Sequence, residues 1–136
     1  MVAQCLLIVG SLILLLLGTI HLLYTFFTPK FDPRHGTTKE YMVQDTPVLT
    51  RETTMWRAWV GFNASHSIGA IFIGSSTLIL ATQYLDLYTH SVALPLLTIG
   101  TSLSYVFLAK RYWFRIPFVG LLIATGCFIS SWLLSR

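Results

Sequence analysis

Four long stretches of this chain, residues 1–29, 58–85, 87–109 and 116–135, contain no Asp, Glu, Lys or Arg; they are 29, 28, 23 and 20 residues long. A helix needs about 20 mostly apolar residues to cross the hydrocarbon core of a bilayer. Inside that core the backbone must satisfy its own hydrogen bonds, which leaves helices as the natural spanning element for such runs. The pattern predicts an all-α chain, an integral membrane four-helix bundle forming one domain over 1–136, with spans near 4–28, 56–83, 92–109 and 117–135. Only 10% of the residues are charged and the mean hydropathy is +0.70, well outside the soluble globular range. A pI near 9.3 would suggest nucleic acid in a soluble protein. Here the basic residues flank the apolar runs, where they mark topology and attract anionic lipid, so no nucleic-acid partner is expected.

The charges orient the spans. The link after the first span carries Lys30, Arg34, Lys39, Arg51 and Arg57, and the link before the last carries Lys110, Arg111 and Arg115; Arg136 alone stands on the other side. By the positive-inside rule the links 29–55 and 110–116 are cytoplasmic and both termini lie outside, an N-out/C-out topology. Residues 1–4 hold no Lys or Arg, so the first run reads as an uncleaved span and not as a secretory signal.

Local signals set the boundaries. Thr28-Pro29 and Phe31-Asp32-Pro33 break the first helix, because proline disfavours the helical conformation in the residue before it. Thr53 and Thr54 are candidate N-caps for the second, and Trp56 and Trp59 stand at interfacial depth. Pro95 and Pro117 fall in the first turns of the third and fourth helices, where a missing N–H costs little. The segment 30–55 has near-balanced charge and few apolar residues, and reads as a surface loop with one interfacial turn. Cys5 and Cys127 form no C-x-x-C pair and read as small packing residues.

The candidate site is a polar constellation inside the spans. Asn63, His66 and Ser67 stand at i, i+3 and i+4, with Trp59 one turn earlier on the same helical face. On the first span His21, Tyr24, Thr25 and Thr28 follow the same spacing, and the third adds Thr98, Thr101, Ser102 and Tyr105. Lipid satisfies none of these groups, so the stripes should face the bundle interior. At 1.5 Å per residue His21 lies about 9–10 Å inside the cytoplasmic boundary and His66 roughly 10–15 Å inside it. The two histidines are therefore expected to face one polar cavity walled by Tyr24, Asn63, Ser67, Tyr105 and Trp59. For the Ser and Thr residues the competing reading is a hydrogen bond to their own helix backbone.

Three kinds of function fit. A lipid-like ligand of isoprenoid or quinone type would place its polar head among His, Asn and Tyr and its tail along apolar walls. If turnover occurs, His66 or His21 is the acid/base, because an ordinary imidazole titrates near neutrality. Alternatively His21 and His66 supply both axial ligands of a haem in an electron carrier, with Gly18, Gly61, Ala64, Gly69 and Ala70 giving clearance. No carboxylate or thiolate stands beside them to complete a closed divalent-metal site. The third reading is a non-catalytic accessory subunit of a larger membrane complex, or a homo-oligomer, packing through the small-residue stripe Gly120, Ala124, Cys127 and Ser131.

The motifs H-L-L-Y-T-F-F-T-P at 21–29 and W-x-G-F-N-A-S-H-S-x-G at 59–69 resemble those of a family of small four-span bacterial membrane proteins that has no assigned activity. The resemblance covers mainly residues 18–30 and 56–74. It implies a four-helix architecture in a bacterial inner membrane and carries no mechanism. The arrangement is also loosely similar to small four-span families with sterol- or quinone-like ligands, an analogy at the level of fold.

Overall fold

The structure, a computed structural model, describes residues 1–136 and contains helices and no strands. Four helices are long and apolar enough to cross a membrane: α1 (Val2–Phe27), α3 (Met55–Gln83), α5 (Ala93–Tyr112) and α6 (Arg115–Leu134). Two shorter ones, α2 (Gly36–Gln44) and α4 (Leu85–His90), lie in the first and second links. Even the 20-residue helices α5 and α6 measure about 30 Å, enough for a hydrocarbon core.

The helix ends follow the chemistry of their residues. Thr54 Oγ1 accepts from Arg57 N–H at 3.3 Å and so caps α3. Ser91 Oγ accepts from Leu94 N–H at 3.2 Å at the start of α5, whose first turn holds Pro95. Lys110 and Arg111 lie in the last turn of α5, where cations oppose the negative end of the helix dipole. That turn carries α5 three residues past the expected end at 109, and α6 begins at Arg115, two residues before Pro117. Long basic side chains tolerate such positions because their stems pack on apolar surface while the charge reaches outward.

The chain divides into two compact units. The first comprises Met1–Leu17 and Ala70–Arg136, and it is packed closely on small residues. A Cβ added at Gly74 would lie 2.9 Å from Leu15 N and 3.0 Å from Ser11 O, so the backbones of α1 and α3 nearly touch there. One added at Gly10 would lie 2.6 Å from the ring of Phe128, itself fully buried. Hydrogen bonds tie the helices antiparallel: Gln4 Nε2 donates to Ala81 O at 2.9 Å, and Ser131 Oγ donates to Ala3 O at 2.7 Å. Between α5 and α6 the hydroxyls of Ser102 and Thr125 are 2.6 Å apart. Tyr88, on α4, is 1% exposed and joins Leu7, Leu14, Leu121 and Phe128 in the core.

The small-residue stripe of α6 is used within this unit. Ala124 is fully buried, Ser131 bonds α1, and a Cβ at Gly120 would lie 2.9 Å from Leu17 Cδ1.

The second unit is Gly18–Gly69. It contains the end of α1, the first link and the start of α3. The link is more ordered than its composition suggests. A 3-10 turn at Pro29–Phe31 reverses the chain, and α2 follows over nine residues. No residue of α2 is buried, so the helix has no core of its own and depends on tethers. Lys39 Nζ supplies two, a 2.7 Å ion pair with Asp32 and a position 4.4 Å from the centroid of the Trp56 ring. At the far end Met55 N–H donates to Asp45 O at 2.9 Å.

Candidate functional site

The polar stripes of α1 and α3 meet within the second unit. Asn63 is the centre of the arrangement. Its Nδ2 donates to Trp59 O, one turn earlier, at 2.8 Å. A carbonyl can only accept, so this bond fixes the orientation of the amide and turns Oδ1 toward α1. There Oδ1 stands 3.0 Å from His21 Nε2. An amide oxygen also only accepts, so His21 carries its proton on Nε2 and, when neutral, keeps Nδ1 as its ring acceptor. The tautomer of His21 is thus set by a chain of two bonds that begins at a backbone carbonyl.

His66 completes the pair. Its ring centroid lies 4.7 Å from that of His21, with the planes inclined by 57°. Both rings are half-buried. Spacing on the helix explains the geometry: Asn63 and His66 are three residues apart and share a face, so both reach the same residue of the neighbouring helix.

The remaining residues fall into three groups. Ser67 is fully buried, and its hydroxyl donates to Asn63 O at 2.8 Å, which spends its donor inside the helix. Thr25 and Thr28 do the same toward His21 O and Tyr24 O, at 2.8 and 3.1 Å. Trp59 positions the cluster through its carbonyl, while its indole N–H donates to Phe31 O at 3.1 Å. Tyr24 carries Lys30 Nζ 4.0 Å from its ring centroid. Tyr105 belongs to the first unit, with its ring 6.2 Å from that of Trp113. Thr98 bonds its own helix at Leu94 O (3.0 Å) and Ser102 pairs with Thr125, so these α5 hydroxyls serve packing in the first unit.

One residue of the cluster reads in the sequence only as part of a helix break. Phe31 stacks on His21 with centroids 4.4 Å apart and planes inclined by 35°, and lies 6.4 Å from the Tyr24 ring. It stands four residues beyond the end of α1 in a polar link. Only the reversal at Thr28-Pro29 brings it back, with Thr28 Oγ1 accepting from Lys30 N–H at 3.3 Å.

No family model, curated protein or solved structure matches this chain. The segments 21–29 and 59–69 supply His21, Tyr24, Trp59, Asn63 and His66.

The arrangement also bears on haem. Axial histidines stand on opposite faces of a porphyrin, with the ring and its iron between them. Imidazoles in contact at 4.7 Å, one of them bonded at Nε2 to Asn63, leave no place for that plane. The residues as arranged do not fit a bis-histidine haem.

Proposed function

We propose that this is a four-span integral membrane protein, N-out/C-out, in which the His21–Asn63–His66 cluster hydrogen-bonds the polar head of a lipid-like ligand of isoprenoid or quinone type. The proposed setting is a bacterial inner membrane with the links 29–55 and 110–116 cytoplasmic. The observation that carries the reading is the relay from Trp59 O through Asn63 to His21 Nε2. A polar group in an apolar helix is costly, and pure packing is served equally well by small apolar residues. Here the relay orients an imidazole and assigns its tautomer, which packing does not require.

With Nε2–H bonded to Asn63, His21 keeps Nδ1 as an acceptor for a head group, beside the His66 ring. A hydroxyl head suits that acceptor, and the apolar flanks of α1 and α3 suit a hydrocarbon tail. Should the ligand be turned over, His21 and His66 are the candidate proton-transfer groups.

Native mass spectrometry of the gently extracted protein tests this. A stoichiometric added mass is expected in the native chain, reduced at least tenfold in His66→Ala and Asn63→Leu while the helical circular dichroism is retained. A bare native protein, or a ligand retained in both variants, sinks the assignment. Co-purification of another protein with a bare chain would favour the accessory role instead.

A further inference from the structure

Phe31 is held against His21 by contacts that all lie at the edge of the cluster. Its carbonyl accepts from Trp59 Nε1–H on α3. Its neighbour Asp32 is paired with Lys39 on α2, and Asp32 N–H donates to Pro29 O at 3.0 Å, closing the turn. The Lys39 and Asp32 side chains are 40% and 28% exposed, and Trp59 is 43% exposed. Neither the turn nor α2 contains a buried residue, and both cysteines lie outside this unit and are free. Every tether is therefore exchangeable with water or with a lipid headgroup, and the half-buried ring of Phe31 is the apolar part of the closure.

We infer that residues 28–33 form a latch over the histidine pair: Phe31 closes the exposed face of His21, and release of the Lys39–Asp32 and Trp59–Phe31 contacts opens it. As a regulator of ligand entry this rests on the reading of the pair as a ligand site. The latch itself rests only on the placement of Phe31. An occupant that approaches His21 from the side of Phe31 must displace that ring, so along this route the latch sets the rate of access.

Carbethoxylation by diethyl pyrocarbonate, read residue by residue by peptide mass spectrometry on the full chain in lipid nanodiscs, measures the latch directly. His35 and His90 are exposed and serve as internal references. His21 should react much more slowly than either in the native protein. Phe31→Ala should raise the His21 rate at least fivefold, Asp32→Asn should raise it about twofold, and Phe31→Leu should restore most of the protection. An unchanged His21 rate in Phe31→Ala overturns the latch. So does a rise accompanied by faster alkylation of the half-buried Cys127, which would mark general loss of structure, if Asp32→Asn gives no rise. Because no ligand enters the readout, protection lost in Phe31→Ala supports the latch even where native mass spectrometry finds a bare protein.

Discussion

The two units both hold polar groups within apolar helices, and they differ in the size of those groups and in how closely the helices pack around them. In Met1–Leu17 and Ala70–Arg136 several hydroxyls return to their own backbone: Ser11 to Leu7 O at 2.7 Å, Thr98 to Leu94 O at 3.0 Å, Thr125 to Leu121 O at 2.7 Å. The helices there approach closely on glycine, and the polar atoms cost little space. In Gly18–Gly69 the groups are larger and point across to the neighbouring helix, joining His21 to Asn63 and His66. Glycine serves no close contact at Gly61, where an added Cβ would meet nothing within 4 Å. One unit is built for density, the other for hydrogen-bonding capacity, and the capacity lies where His21 and His66 stand.

The comparison breaks most sharply at its glycines. Gly74→Val drives a side chain into the backbone of Leu15 and Ser11, which has no rotamer by which to yield. The expected loss is about 3 kcal/mol, the upper part of the range for overpacking, read as an earlier unfolding transition in detergent titration. Gly61→Ala, with open space around it, should be neutral or gain up to about 1 kcal/mol from helix propensity. Equal losses at the two positions would erase the distinction between the units.

Asn63→Ala sharpens it from the other side. The substitution removes the acceptor of His21 and frees the Trp59 carbonyl. Interhelical hydrogen bonds in membrane proteins contribute about 0.6 kcal/mol on average and at most about 1.7. The thermal transition should therefore move only slightly, while ligand occupancy falls at least tenfold. A destabilisation as large as that of Gly74→Val would make Asn63 a structural residue of the same kind as the small residues of the first unit.

How much of this was legible in the sequence follows from the range of each signal. The four long helices follow from composition, because a charge-free run of about 20 residues has few other fates. The pairing of His21 with Asn63 and His66 was anticipated from stripes at helical spacing, since both stripes lie at matching distance from one link. The use of Thr25, Ser67 and Thr98 by their own backbones is the ordinary behaviour of hydroxyls in helices. Helical spacing and depth place Tyr105 on the third span but do not set the rotation of that helix; its ring lies 6.2 Å from that of Trp113 within the first unit. Helix α2 and Phe31 were missed for a common reason. Each is placed in part by a contact with a residue far along the chain, Lys39 with Trp56 and Phe31 with Trp59, and no periodicity records such contacts.

Ser102→Ala offers a smaller test. It deletes one hydroxyl from a buried pair, yet Thr125 keeps its bond to Leu121 O, so no donor is stranded. The expected cost is about 0.6 kcal/mol, near the average for such bonds, with ligand occupancy unchanged. A loss of ligand would mean that the hydroxyls of the first unit are more than packing.

The smallest expected effect on stability is at Lys39, and its size separates tethering from folding. Lys39→Met removes the ion pair with Asp32 and the contact with the Trp56 ring but keeps most of the apolar stem. Both partners of the pair are partly exposed, and such pairs contribute about 0.2–1 kcal/mol, less at high salt. The unfolding transition should shift by no more than about 0.5 kcal/mol and by less in 1 M salt, where the Debye length is about 3 Å. The same change should loosen α2, which buries nothing of its own, and hydrogen exchange over 36–44 should quicken severalfold. If exchange there is unaltered, α2 is held by the chain reversal at Thr28-Pro29 and the backbone bond from Met55 to Asp45. The charge pair would then be a consequence of the fold of the link and not one of its causes.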